Sequence, residues 1–207
     1  VSSPPTPSLG RVRVTAYASI VGFVSSRAAL WVGAGWGFAE ASLFFIVPDA
    51  WLGFVALFAP RRMLPMLGAI LAGAAVGAAC LYLATIAWAD ELTSLILALP
   101  AIAPADLEQA RRQLQDAGAG AILPALADGR PVKLYIHGAA LDGIGLSEVV
   151  VFTVLNRLLR LLLVGGVMAA IGAVGRSIVA RSPRAVAALY VAGWVVFYAA
   201  YLATHQA

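Results

Sequence analysis

Two segments, residues 40–49 (Glu-Ala-Ser-Leu-Phe-Phe-Ile-Val-Pro-Asp) and 128–133 (Asp-Gly-Arg-Pro-Val-Lys), place charge and proline inside sequence that is otherwise apolar enough to cross a bilayer. Proline breaks a helix, and hydrocarbon cannot solvate the backbone groups set free. Ionised side chains are equally costly there, and both persist where they line a cavity and handle something. The chain is 62% hydrophobic and 12% charged, with a mean hydropathy of +0.91. That leaves too little polar surface to cover a soluble globule, so the fold class is all-α and polytopic in a membrane.

A span needs roughly 20 apolar residues. Residues 63–88, 149–171 and 185–204 qualify. Residues 28–47 and 50–59, separated by Pro48-Asp49, are too short or too interrupted and read as arms of a hairpin that enters the membrane and turns back. Residues 119–141, broken by Pro124, Gly129 and Pro131, read as a second such hairpin. The organisation is a disordered tail over 1–11 and one membrane domain over 12–207. That domain holds a first repeat at 28–88, an amphipathic linker at 105–117, a second repeat at 119–173 and an extra span at 185–204. Two re-entrant hairpins, each followed by a span, outline an inverted repeat. Residues 12–25 are apolar enough to lie at the interface or to begin a span, and their length does not decide between the two.

Charge placement is consistent with this order. With Arg61 and Arg62 cytoplasmic, the span after them exits at Asp90-Glu91. The next span returns Arg176, Arg181 and Arg184 to the inside, as the positive-inside rule requires. The two hairpins then dip in from opposite sides, so their tips meet near the midplane, where such repeats place binding sites. Gly68, Gly73 and Gly77 give the span over 63–88 a small-residue stripe for close helix packing. Cys80, the single cysteine, reads as a packed small residue with no disulfide partner.

The charged side chains carry the functional expectation. Glu40 must face a cavity, find a partner or be protonated, and it reads either as a structural hydrogen-bonding group or as a proton-titrating one. Asp49 is equally suited to capping the second hairpin arm and to function. Arg130 and Lys133 flank Pro131 and are suited to an anionic phosphate, unless they snorkel to the interface. Arg157 and Arg160, a turn apart in an apolar helix, need an anion, and Glu40, Asp49 and a lipid phosphate are the candidates. Asn156 adds a polar group near the arginines, and His137 reads either as a satisfied structural histidine or as an accessory member of the second hairpin's polar cluster. Nothing points to catalysis, a cofactor, a metal or nucleic acid. There is no nucleophile elbow or nucleotide-phosphate loop, two histidines are too few to build a metal site, and no basic run carries interleaved aromatics.

Phe38-Ala39-Glu40 through Val47-Pro48-Asp49 to the Gly-rich span with Tyr82 resembles the first half of the DedA family, also called SNARE-associated Golgi or VTT-domain proteins. Gly129-Arg130-Pro131-Val132-Lys133-Leu134-Tyr135, Gly138-Ala139-Ala140 and Asn156-Arg157-Leu158-Leu159-Arg160 resemble its second half. The resemblance implies an integral protein of a bacterial inner membrane with two opposed re-entrant hairpins. The superfamily is implicated in moving lipids between leaflets, and its bacterial members are associated with undecaprenyl phosphate recycling and the proton-motive force. The family's acidic residues correspond to Glu40 and Asp49, its second-hairpin base to Lys133, and its following arginine to Arg157; Tyr82 enters as an accessory residue. Many members carry Arg-Phe-x-Pro where this chain has Ala127-Asp128-Gly129-Arg130, so that arginine has either shifted to Arg130 or been lost.

The expected function is a flippase or scramblase for an anionic phospholipid or undecaprenyl phosphate. Arg130, Lys133, Arg157 and Arg160 hold the headgroup while Glu40 and Asp49 exchange protons or balance the empty site. The alternatives are a carrier of small anions or ions and a non-transporting assembly factor.

Overall fold

The computed structural model describes residues 9–99, 102–125 and 130–205, and the regular elements among them are helical. Residues 1–8 of the expected tail lie outside this set, as do residues 126–129, with Asp128 and Gly129 of the second break. Helix α1 (Leu9–Val24) takes in the last part of that tail and meets α2 (Arg27–Ser42) at 56°. Ser26 starts α2 by accepting the Ala29 N–H on its hydroxyl at 3.2 Å, satisfying a donor that a helix start leaves open.

The first hairpin arm, expected over 28–47, is shorter than that. Ser42 Oγ turns back onto the carbonyls of Phe38 and Ala39, each at 2.9 Å, and the N–H groups of Leu43 and Phe44 both bond to the Ala39 carbonyl. The helix closes there and the backbone runs irregularly to Pro48, which precedes α3 (Asp49–Phe58). A 3₁₀ turn, Pro60–Arg62, leads into α4 (Met63–Ala87). The shorter α5 (Ala89–Leu97), α6 (Pro104–Ala117), a second 3₁₀ turn (Gly118–Ile122) and α7 (Val132–Leu141) follow, and then α8 (Leu146–Val174), α9 (Arg176–Arg181) and α10 (Pro183–His205). Helices α4, α8 and α10 are long and apolar enough to cross a membrane, and the bent α1–α2 pair makes up to one more span by the same measure. The chain is an integral membrane protein.

Small residues set the closest approaches. A side chain on Gly37 would meet the Ile70 backbone, and one on Gly73 or Gly77 would meet the Ala34 or Phe38 backbone, so α2 and α4 touch main chain to main chain. Gly33 on α2 faces Met66 in the same seam. Gly172 on α8 meets the Leu57 backbone of α3 in the same way. Gly68 has nothing within 4 Å and takes no part, and Cys80 is exposed on the outer side of α4. Cys80 is therefore outward-facing, not packed, because the inward stripe of its helix is filled by Gly73, Ala74, Gly77 and Ala78.

Two apolar cores result. One gathers the end of α4 with α5, α6, α7 and the start of α8; the other gathers α1, α2 and α3 with the start of α4 and the later part of α8. Along α8, Val149 belongs to the first core and Leu161 to the second, with Asn156 and Arg157 buried between them. The polar residues thus occupy the seam between cores.

Helix α6 is amphipathic as its sequence indicates, burying Leu107, Ala110 and Leu114. The helix is fastened to the α7–α8 turn by Arg111, whose Nη2 lies 2.5 Å from Asp142 Oδ1. The hydrogen bond to Asp142 raises the Arg111 pKa above its ordinary value. The arginine side chain is 36% exposed, so solvent and salt weaken the pair. Asp142→Asn is expected to lower stability by only about 0.2–1 kcal/mol. Thermal unfolding at low salt checks this, and the difference from wild type should shrink at high salt.

Candidate functional site

A cavity of about 380 Å³ lies in the seam, bounded by both broken segments, α8 and α10. Glu40 from α2 and Asp49 from α3 face it, as do Arg130 and Lys133 around the second break and Asn156, Arg157 and Arg160 from α8. Four cations therefore share this space with two carboxylates. Residues separated by more than a hundred positions meet because α3 packs along α8 while α7 packs on α4.

Two ion pairs link the first broken segment to α8. Arg160 Nη2 donates to Asp49 Oδ2 at 2.7 Å. Arg157, 1% exposed, brings Nη2 to 2.5 Å from Glu40 Oε2, itself on a residue 6% exposed. Arg157 Nε has no hydrogen-bond partner among the described residues. Arg160 Nε is in the same position. Glu40 balances the Arg157 charge at close range, as a guanidinium buried this deeply requires.

The irregular stretch over 43–48 is stabilised by groups from three separate elements. Lys133 Nζ donates to the Phe44 carbonyl at 2.6 Å, Trp36 Nε1 donates to the Ile46 carbonyl at 2.9 Å, and the Val47 N–H donates to the Tyr198 hydroxyl at 2.8 Å. Unwound backbone shielded from water requires such partners. Both broken segments then lead into helix starts on the cavity, α3 at Asp49 and α7 at Val132. The positive dipole end of each start favours an anion.

The other sequence candidates have different surroundings. Asn156 Nδ2 donates to the carbonyls of Ile122 and Leu123 at 2.7 and 3.2 Å, so it positions the chain entering the second break while lining the cavity. His137 lies outside the cavity lining, held between Thr85 Oγ1 at its Nδ1 and Thr93 Oγ1 at its Nε2. Tyr82 is also outside, donating its hydroxyl to the Ile144 carbonyl at 2.6 Å. Each ties α4 to a neighbouring segment. Arg130 Nε stands 3.9 Å from Asp106 Oδ1, linking the second break to α6.

Sequence reading missed the aromatic wall of α10. Trp194, Phe197, Tyr198 and Tyr201 line the cavity, and their spacing of three, four and seven places them on one helix face. That periodicity was legible, but an apolar span hides it, since aromatics are ordinary in lipid-facing helices.

No protein-family model matches the chain, nor does any curated protein or any solved structure. What the cavity can do therefore follows from its charges and their partners.

Proposed function

We propose that the protein is a lipid transporter of the DedA type that moves an anionic phospholipid or undecaprenyl phosphate between leaflets. The observation that carries this reading is the charged cavity itself, where the buried Arg157 and three further cations face two carboxylates, so that cations outnumber carboxylates two to one. A phosphate entering there meets charge-assisted donors from Arg157 and Arg160, with Lys133 and Arg130 beside them. Two helix starts add their partial positive charge.

In this reading the segments on either side of the cavity are opposed re-entrant hairpins of an inverted repeat. Arg61 and Arg62 stand at one end of the molecule, next to Leu57, which touches Gly172 near Arg176. Tyr82 joins α4 to Ile144 toward the other end, near Asp90 and Glu91. The basic end supports a cytoplasmic placement and a bacterial inner membrane. Glu40 and Asp49 neutralise Arg157 and Arg160 when the site is empty. Arrival of the phosphate competes with them, and a carboxylate displaced from its cation takes up a proton more readily. Headgroup binding and protonation then favour the same state, which is the linkage that coupling to a proton gradient requires.

Purified protein in vesicles should accelerate transbilayer movement of fluorescent anionic phospholipid or of undecaprenyl phosphate, with a rate that responds to a pH gradient. Glu40→Gln and Arg160→Gln, each verified as folded, should lose most of that movement. Normal transport in either variant would remove that residue from the mechanism. One observation favours a non-transporting role, in which these charges only hold the fold: Lys133 and Arg160 already have internal partners at 2.6 and 2.7 Å. That reading requires that wild-type protein move no lipid under any gradient.

A further inference from the structure

A second cavity, about 580 Å³, adjoins the charged one, and Phe45, Trp194 and Tyr198 form part of both walls. Its other walls come from α2, α3 and α10, among them Trp36, Trp51, Phe54, Tyr190 and Val195. Their polar atoms are already engaged. Trp36 Nε1 donates to the Ile46 carbonyl, Trp51 Nε1 to the Ala29 carbonyl and the Tyr190 hydroxyl to the Ala50 carbonyl, while the Tyr198 hydroxyl accepts from the Val47 N–H. Ring packing stiffens the surface: Trp51 stacks on Phe54 at 6.0 Å and 13°, and Trp194 stacks on Tyr198 at 5.9 Å and 28°. The groove therefore offers hydrocarbon contact and almost nothing else.

We infer that this groove seats a hydrocarbon chain of the same lipid whose phosphate occupies the charged cavity, so that the protein binds an amphiphile at both ends. Continuity decides the occupant. The two cavities share aromatic walls, and one is cationic where the other is apolar, which is the polarity order of a lipid phosphate and its chain. A soluble anion would leave the groove unused, and a neutral lipid would bring no anion to a cavity where cations outnumber carboxylates. The inference rests on the headgroup reading above and extends it to the substrate class, an anionic lipid recognised through its chain as well as its phosphate.

Tryptophan positions make the test direct. The chain has five, at 31, 36, 51, 88 and 194. Trp31 and Trp88 are exposed at 78% and 61%, whereas the other three line the groove. In a Trp31→Phe, Trp88→Phe background all remaining fluorescence comes from groove tryptophans. Bromine on a bound chain quenches it by contact. The probe is stearoyl lysophosphatidate brominated in mid-chain, titrated into phosphatidylcholine vesicles holding the full chain. Brominated monostearoylglycerol is the neutral control, and butyl phosphate, followed by calorimetry, reports the charged cavity alone.

Quenching by the lysophosphatidate should saturate at low mole fraction, while the neutral lipid quenches only in proportion to its abundance. Butyl phosphate should bind roughly a hundredfold more weakly, having too few methylenes to fill the groove. Val191 and Val195 line the groove from the exposed side of α10, where larger side chains do not disturb a core. Val191→Phe with Val195→Phe should weaken the lysophosphatidate about tenfold and leave butyl phosphate unchanged. If butyl phosphate binds but lysophosphatidate quenching never saturates, or the double variant has no effect on it, the chain does not sit in the groove and this inference is overturned while the headgroup reading stands. If neither phosphate binds, both fail together.

Discussion

Replacing Arg157 with Met is expected to destabilise the protein by about 3–5 kcal/mol, because it strands the buried Glu40 carboxylate without its cation. Glu40 is 6% exposed, and Arg157 Nη2 lies 2.5 Å from it. Arg160, the other arginine of the cavity, is engaged by Asp49 and does not take over. Glu40→Leu combined with Arg157→Met should recover most of the loss, since a buried pair replaced by apolar groups of similar volume is often neutral or stabilising. Detergent-solubilised protein followed by tryptophan fluorescence during heating separates these outcomes. A single variant as stable as wild type would mean that Glu40 is solvated or already protonated, and the buried ion pair would have to be abandoned. The double variant should remain unable to move lipid, which distinguishes a charge kept for function from one kept for stability.

The glycine seam between α2 and α4 yields the second large effect. A Cβ on Gly73 would run into the carbonyl and Cα of Ala34, backbone atoms that cannot rotate aside. Gly73→Ala should therefore cost about 1–3 kcal/mol through overpacking, and Gly73→Leu more. Gly68, on the same helix, has open space around it, so Gly68→Ala should be neutral or stabilising by up to about 1 kcal/mol. Comparing the two alanine variants in one unfolding assay isolates the seam from helix propensity. Equal behaviour at both positions would show that α2 and α4 are not in backbone contact. The effect reaches the site, because the seam sets the height of Glu40 on α2.

Sequence reading located the membrane helices well where apolar runs were continuous. Residues 63–88 become Met63–Ala87 and residues 149–171 lie inside Leu146–Val174, because bilayer thickness alone prescribes such lengths. It overran the arm at 28–47, since Phe44, Phe45 and Ile46 are as apolar as a helix interior while their backbone is unwound. Hydropathy is blind to that distinction. Proline fixes where a helix starts again, but the end at Ser42 depends on a side chain returning to Phe38 and Ala39.

The residue types of the site were evident in the sequence by themselves, for a plain physical reason. A charge in an apolar run is costly enough to need a partner, so Glu40, Asp49, Lys133, Arg157 and Arg160 announce themselves without any structure. Who pairs with whom was not evident. Glu40 might equally have met Arg160, and Lys133 could have faced a carboxylate instead of the Phe44 carbonyl, because pair choice depends on how α3 lies along α8 and how α7 lies on α4. The aromatic wall of α10 and the groove beside it belong to tertiary structure for the same reason. Composition determines that a helix is apolar, whereas only packing decides which of its faces meets lipid and which closes a cavity.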